Sequence, residues 1–276
     1  MTKFDIISDL HYTHHTANNP RKIGLYIKNF IKPKSDNIII AGDISNSIAD
    51  TLSFLKHLKR YYYQKILVVL GNHDHYFSNS ESDKFDNYEI RAKYLVEEIK
   101  KLGVIVLDGQ IEEIDGVRIS GCTGWYDFSY TQKLNPCMTA VNIMKYWYRN
   151  MNDGNYIKGM IKDTEQLTWE NMQAWSFSDK EKISKVYDQV DIIVTHISPL
   201  NEPFFAYEPY KYDLLTGAYF FNGMGFAEYS NAKYWIYGHT HVKQEYLFGD
   251  TKFISNPVGY PFENKKFEAI QIILDI

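Results

Sequence analysis

The chain has 276 residues, of which 45% are hydrophobic and 23% are charged, so it is long enough for one large core and ordinary for a water-soluble protein. Its formal net charge of -4 counts against a protein whose main task is to grip a nucleic-acid backbone, since such proteins are usually basic. No apolar run suits a signal peptide or a membrane span, and the two cysteines do not make a disulfide framework, so we expect a cytoplasmic protein.

The first half of the chain alternates short apolar runs with helical patterns, which predicts strand–helix–strand units. The predicted strands cover residues 4–8, 37–41 and 65–70, and the predicted helices cover residues 21–31, 47–61 and 88–102. The last of these helices ends before Gly103, because glycine readily adopts the left-handed conformation that closes helices.

The second half of the chain has a less regular pattern. Short strands are predicted at 104–107, 111–114 and 117–121, with Asp115-Gly116 as a hairpin turn. Residues 124–180 are rich in Trp, Tyr, Met and Asn, and we interpret them as an aromatic-rich cap or insert within a single domain that covers 1–276. Further strands are predicted at 191–195, 234–237, 244–247, 252–254 and 269–274. We therefore expect an α/β fold, in which a mixed sheet assembly has helices outside.

Asp, Asn and His side chains follow five of the predicted strands at the point where each strand ends. They are Asp9 and His11, Asp43, Asn72 and His73, His196, and His239 and His241. In α/β sheets, ligands collect outside the carboxyl ends of the strands, so we expect these side chains to form one cluster. Packed carboxylates and imidazoles need positive charge between them to offset their desolvation. The sequence therefore predicts a metal centre.

The donor types restrict the metals that this centre can hold. Mixed Asp, His and Asn donors suit Mn²⁺, Fe²⁺ or Zn²⁺, whereas Mg²⁺ and Ca²⁺ sites rely on oxygen donors. Seven plausible ligands are too many for one ion, so we expect two ions that share a carboxylate, roughly 3.5–4 Å apart. Each motif alone has a structural explanation: Gly42-Asp43 is also a turn signal, and His196 would also suit a protein core. The occurrence of all five motifs in order favours the metal centre.

The motifs as a set resemble a known family. Asp9-x-His11, Gly42-Asp43, Gly71-Asn72-His73-Asp74, Thr195-His196 and Gly238-His239-Thr240-His241 are similar, in order, to the motifs of the calcineurin-like metallophosphoesterase superfamily. The resemblance covers most of the chain. It implies a four-layer α/β/β/α sandwich, in which helices flank two mixed β-sheets and the site lies at the strand ends. It also implies a hydrolase that breaks a phosphate ester with two divalent metal ions, Mn²⁺ being expected and Fe²⁺ or Zn²⁺ being alternatives.

The resemblance implies a role for each residue of the site. The metal ligands would be Asp9, His11 and His241 for a first ion, Asn72, His196 and His239 for a second ion, and Asp43 as a bridge between the two. His73 would not bind metal but would protonate the leaving oxygen, and Asp74 would orient or tune His73. The two ions would lower the pKa of a bridging water, and the resulting hydroxide would attack phosphorus.

The chain departs from the protein Ser/Thr phosphatases of this superfamily at several positions. Many members have a second Asp shortly after the Gly-Asp motif, where this chain has Asn46; that position supports the loop and does not bind metal. The phosphatases also have an Arg soon after that motif, where this chain has Ser47, and a Glu at the position of Asp74. A protein phosphatase is therefore disfavoured.

The expected substrate is a phosphomonoester or phosphodiester of a small molecule. A nucleotide is among the candidates, because rings such as Trp125 and Trp147 can stack on a nucleobase, although the same rings are better explained as packing residues of the cap. A nuclease of the same superfamily is one alternative, and the negative net charge disfavours it. A non-catalytic scaffold is another, and the complete ligand set disfavours it. Neither nucleic acid nor a membrane is an expected partner.

Overall fold

The computed structural model describes residues 1–77, 81, 84–157, 166–264 and 266–275. Its strands are β1 (Thr2–Ile7), β2 (Asn37–Ala41), β3 (Lys65–Val69), β4 (Ile105–Val106), β5 (Glu112–Ile114), β6 (Val117–Cys122), β7 (Ile192–Thr195), β8 (Tyr234–Tyr237), β9 (Gln244–Phe248), β10 (Thr251–Ser255) and β11 (Ile270–Leu274). Its α-helices are α1 (Tyr12–Thr16), α2 (Ile23–Tyr26), α3 (Ile48–Tyr61), α4 (Tyr88–Lys101), α5 (Ser129–Leu134), α6 (Ala140–Asn150), α7 (Asp153–Tyr156), α8 (Trp169–Ser184) and α9 (Met224–Glu228). Among these helices, none has the length and apolar composition needed to cross a membrane.

The strands form two mixed sheets. The first sheet has the order β11-β1-β2-β3-β4, and its edge strand β11 is antiparallel to β1 while the other described pairs are parallel. The second sheet has the order β5-β6-β7-β8-β10-β9, with the antiparallel strands β5 and β9 at its edges. Because the central strands of each sheet run parallel, their carboxyl ends lie along one edge of that sheet.

Alternating side chains bury both faces of the first sheet. On β2, Ile38 and Ile40 belong to the hydrophobic cluster that includes Phe54 of α3 and Leu95 of α4. Ile39, between them, belongs to the cluster that joins the two sheets. A third cluster joins the second sheet to side chains of α6 and α8. These three interfaces separate four layers, so the predicted α/β/β/α sandwich is confirmed.

Several elements differ from the sequence prediction. The predicted helix 21–31 consists of a 3₁₀ turn (Pro20–Lys22), α2 and a π-helical segment (Ile27–Ile31). The strand predicted at 104–107 is only two residues long in β4. Helix α8 was not predicted, because the face that it buries includes the polar Ser176 and Asp179 while the apolar Phe177 is exposed, and its start is marked only by Thr168, which forms a capping box with Asn171.

Candidate metal centre

Five parallel strands bring all the predicted ligands to one place. Strands β1, β2 and β3 are neighbours in the first sheet, and β7 and β8 are neighbours in the second. The loops after these strands carry Asp9 and His11, Asp43, Asn72 and His73, His196, and His239 and His241, respectively. These side chains therefore lie where the carboxyl ends of both sheets converge, as the sequence predicted.

The backbone at this edge is tightly folded. Five of the seven candidate ligands have φ between 37° and 68°, in the left-handed region that residues other than glycine rarely adopt. They are Asp9, His11, Asp43, His239 and His241. Such conformations cost about 1–3 kcal/mol each and cluster at functional sites, where the surroundings impose them. Gly71 is required for a different reason: a Cβ at this position would lie 2.2 Å from Oδ1 of Asp43.

A first group of ligands comprises Asp9, His11, Asp43 and His241, whose donor atoms lie within 4.8 Å of one another. Nε2 of His11 lies 3.0 Å from Nε2 of His241 and 3.7 Å from Oδ2 of Asp43. Oδ1 of Asp9 lies 3.6 Å from Nε2 of His241. Two imidazoles and two carboxylates that converge in this way form a donor set suited to a transition-metal dication.

A second group comprises Asp43, His196 and His239, again with donor atoms within 4.8 Å of one another. Nε2 of His196 lies 3.4 Å from Oδ2 of Asp43. It also lies 2.9 Å from Oδ1 of Asn72, so the amide oxygen of Asn72 joins the group. Asp43 belongs to both groups, which is the position of a bridging carboxylate.

The hydrogen bonds around these donors fit a metal centre. Oδ2 of Asp43 is fully buried and has no hydrogen-bond partner among the described residues, although an unpaired buried carboxylate oxygen is costly. Nδ1 of His196 bonds the carbonyl of Ala41 at 2.8 Å, and Nδ1 of His241 bonds Glu263 at 2.8 Å. In metal sites the ligating histidine donates its other ring N–H in this way, which leaves Nε2 free to bind the ion.

The electrostatics of the Asp43–His196 pair also fits a metal centre. Burial alone would lower the pKa of His196, but the nearby Asp43 carboxylate raises it to about 9. Burial alone would raise the pKa of Asp43, but His196 and His73 together hold it well below its usual value. A positive charge is therefore favoured between these residues, either as a proton or as a cation.

His73 lies beside the ligands without joining either group. Its ring centroid is 4.6 Å from that of His11, and its Nδ1 lies 2.9 Å from Oδ1 of Asn46. Its Nε2 faces the hydroxyl of Tyr260 at 3.5 Å. Asn46 thus holds the ring on one side, and the other ring nitrogen faces Tyr260, which together with His73 lines the smaller of two cavities described below.

The Asp74 carboxylate bonds backbone N–H groups near the candidate ligands. Its buried carboxylate accepts the backbone N–H groups of Gly71, Asp43 and Ile44, at 2.9, 2.9 and 3.1 Å. Two of these groups belong to the loop that carries Asp43. Asp74 therefore fixes the loops after β2 and β3 to each other, while Nδ1 of His73 bonds Asn46.

Sequence reasoning missed several residues that contact the centre. Glu263 bonds His241, and the ring of Tyr260 stacks on that of His11 with centroids 4.5 Å apart. Asp153 bonds Asn72 from the segment predicted as a cap. A single Asp, Glu or Tyr in a loop carries no periodic signal, so only the fold reveals these contacts.

Two adjoining cavities open on the centre. A cavity of about 290 Å³ is lined by Asp43, Asn72, His73 and His241, together with Asn150 at the end of α6 and Asn152 from the loop between α6 and α7. A larger cavity of about 580 Å³ continues from it toward Tyr207 and Tyr210. The two share four lining residues, which are Tyr219, Thr240, His241 and Glu263.

Comparisons with known proteins agree with this architecture. Over 97% of this chain and 94% of the relative, the sequence is 24% identical to "Uncharacterized protein L509" of Acanthamoeba polyphaga mimivirus. The structure resembles that of phosphopantetheinyl hydrolase from Mycobacterium tuberculosis, with a TM-score of 0.75 and 22% identity over 99% of this chain and 96% of the other. The model of the family described as calcineurin-like phosphoesterase matches residues 2–243. The chain therefore belongs to the calcineurin-like phosphoesterase family.

Proposed function

We propose that this chain hydrolyses a phosphomonoester or phosphodiester of a small molecule at a centre of two divalent metal ions, with His73 as the proton donor. Family membership supports metal-dependent hydrolysis of phosphate esters in general. The observation that carries the more specific proposal is the pair of ligand groups that share Asp43.

The first ion would be held by Asp9, His11 and His241, the second by Asn72, His196 and His239, and Asp43 would bridge them. Mixed carboxylate, amide and imidazole donors of this kind suit Mn²⁺, Fe²⁺ or Zn²⁺, and we expect Mn²⁺. When bound, such ions polarise the phosphoryl oxygens and acidify a water that can attack phosphorus. The buried carboxylates of Asp9 and Asp43 would offset part of the charge of the two ions.

His73 would act as the general acid. Its Nδ1 is engaged by Asn46, which leaves Nε2 directed into the pocket, where the leaving oxygen of an ester would receive its proton. Asp74 would act indirectly: its hydrogen bonds to the backbone of Asp43 and Gly71 hold the loops on which Asp43 and His73 lie.

The cavities support a small organic ester as substrate. The cavity at the metal ligands admits a phosphate group, and the adjoining cavity of about 580 Å³ is within the range that accommodates small ligands. Its lining combines the rings of Tyr207 and Tyr210 with polar groups such as Asp213 and Lys243. A nucleoside or another organic group of similar size fits this mixture, and the Mycobacterium tuberculosis protein's name adds phosphopantetheinyl esters to the candidates.

A substrate screen tests the proposal. The Mn²⁺-loaded protein is offered 4-nitrophenyl phosphate, bis(4-nitrophenyl) phosphate, mononucleotides, cyclic nucleotides, phosphopantetheine esters, and single- and double-stranded DNA. We expect hydrolysis of at least one small ester and none of DNA. Hydrolysis of DNA in preference to small esters would favour the nuclease alternative, and no hydrolysis with any divalent metal would favour the non-catalytic scaffold.

A further inference from the structure

Asp153 is a buried carboxylate that lies outside every motif of the metal centre. It is the first residue of α7, in the segment predicted as a cap, and its side chain is 0% exposed. Its Oδ1 accepts the Nδ2 hydrogen of Asn72 at 2.7 Å and the hydroxyl of Tyr76 at 2.5 Å. Its Oδ2 accepts the hydroxyl of Tyr126 at 2.7 Å.

In the described part of the chain, Asp153 has no ion pair, whereas the buried Asp127 of the same segment pairs with Lys180 at 3.0 Å. Burying a carboxylate without a cation is costly, although hydrogen bonds to its ionised form offset part of the cost. All of the hydrogen-bond donors that Asp153 has in the structure are neutral, and one of them belongs to the candidate ligand Asn72.

The hydrogen bond from Asn72 to Asp153 sets the orientation of the Asn72 amide. Its nitrogen faces Asp153, so its oxygen faces Nε2 of His196 at 2.9 Å, on the side where the second ion would bind. An amide can turn over by 180°, and only the oxygen can bind a metal ion. A negative acceptor at Asp153 excludes the turned orientation, which would direct the oxygen at a carboxylate.

The cap holds Asp153 rigidly. Tyr126, which donates to Asp153, accepts a hydrogen bond from Nε1 of Trp147 at 3.0 Å, and its ring lies parallel to that of His239 with centroids 6.4 Å apart. Asp153, Tyr126 and Trp147 thus form a continuous network behind the second ligand group. The first ligand group is supported from elsewhere, by Glu263 and Tyr260.

We propose that Asp153 is a positioning residue for the second metal ion: it orients the Asn72 amide and supplies a negative charge behind it. The cap would then do more than border the substrate cavity, because it would complete the metal centre. This inference rests on the proposed two-metal centre and adds a residue that acts on one of the two ions only.

The test compares metal affinities of Asp153→Asn, Tyr126→Phe and the unchanged protein, by calorimetric titration of the metal-free chain with Mn²⁺. Loss of a residue that supports a metal ligand typically weakens binding roughly 10–100-fold. We expect a loss of this size for the second ion in Asp153→Asn, a smaller loss in Tyr126→Phe, and an unchanged first ion. Electron paramagnetic resonance at two equivalents of Mn²⁺ should then show fewer coupled ion pairs in Asp153→Asn, and excess Mn²⁺ should restore them.

Asp127→Asn is the matched control, because Asp127 is also buried in the cap but bonds Lys180 and backbone N–H groups rather than a candidate ligand. Its affinities for both ions should equal those of the unchanged protein. If Asp153→Asn bound both ions as tightly as the unchanged protein, the proposed role of Asp153 would be overturned. If that variant does not fold, unchanged affinities in Tyr126→Phe would overturn it. An unchanged protein that binds fewer than two ions would overturn the two-metal centre itself.

Discussion

Nδ1 of His73 lies 2.9 Å from Oδ1 of Asn46, so a neutral amide holds the ring of the candidate general acid. Asn46 stands where many members of the family have an aspartate. The resemblance to the family predicted only that this position supports the loop. The structure gives it a more specific contact: it accepts the Nδ1 hydrogen of His73, and Nε2 on the other side of the ring faces the hydroxyl of Tyr260.

Asn46→Ala should slow hydrolysis about two- to tenfold, because the net value of such a hydrogen bond is about 0.5–1.5 kcal/mol. Asn46→Asp keeps an acceptor at the same position and is the control that should retain most of the rate. The measurement is the turnover of an ester with a poor leaving group by both variants at saturating Mn²⁺. Full activity in Asn46→Ala would show that the ring needs no such partner.

His73→Ala should lower turnover of a poor leaving group by roughly 10²–10⁴-fold, the usual contribution of a general acid. An ester of 4-nitrophenol should lose much less, because its leaving group needs no proton. Metal content should stay near normal, since His73 belongs to neither ligand group. A variant that lost its metals, or one that kept its full rate on the poor leaving group, would contradict this role.

Binding of the second ion should release a proton. Because the Asp43 carboxylate raises the pKa of His196 to about 9 against the opposing effect of burial, we expect its ring to be protonated at pH 7 in the metal-free protein. Only the neutral ring binds metal, so the apparent affinity should rise about tenfold per pH unit and level off above about pH 9. Calorimetry at pH 7.5 in two buffers of different ionisation enthalpy gives the number of protons released when the second ion binds. Release of no proton would contradict the proposal that the second ion displaces a proton from His196.

Tyr210→Ala should weaken hydrolysis of large esters while sparing small ones. Tyr210 lines the larger cavity, and an aromatic contact there is worth about 0.5–1.5 kcal/mol, or roughly two- to tenfold in kcat/KM. The control is Tyr212→Ala, because Tyr212 is 73% exposed and lines neither cavity. If Tyr210→Ala lowered kcat/KM for large esters no more than Tyr212→Ala does, a substrate contact at Tyr210 would be excluded.

The clustering of the candidate ligands was predictable because each follows an apolar strand, and parallel strands place their carboxyl ends together. The four-layer fold followed from the same motifs through the family resemblance. Asp153 was not predictable as a partner of Asn72, since 81 residues separate the two and one aspartate has no pattern. Helix α8 escaped prediction for a related reason: its buried side chains, such as Met172 and Asp179, include both apolar and polar types.

Hydrolysis measured against the number of Mn²⁺ equivalents added to the metal-free chain tests the two-ion centre most directly. The rate should rise until two ions are bound per chain and then stay constant. Asp43→Asn should need a large excess of Mn²⁺, because the bridging carboxylate serves both ligand groups. A plateau at one equivalent, full hydrolysis in the presence of a chelator, or two tightly retained ions in Asp43→Asn would contradict the proposed centre.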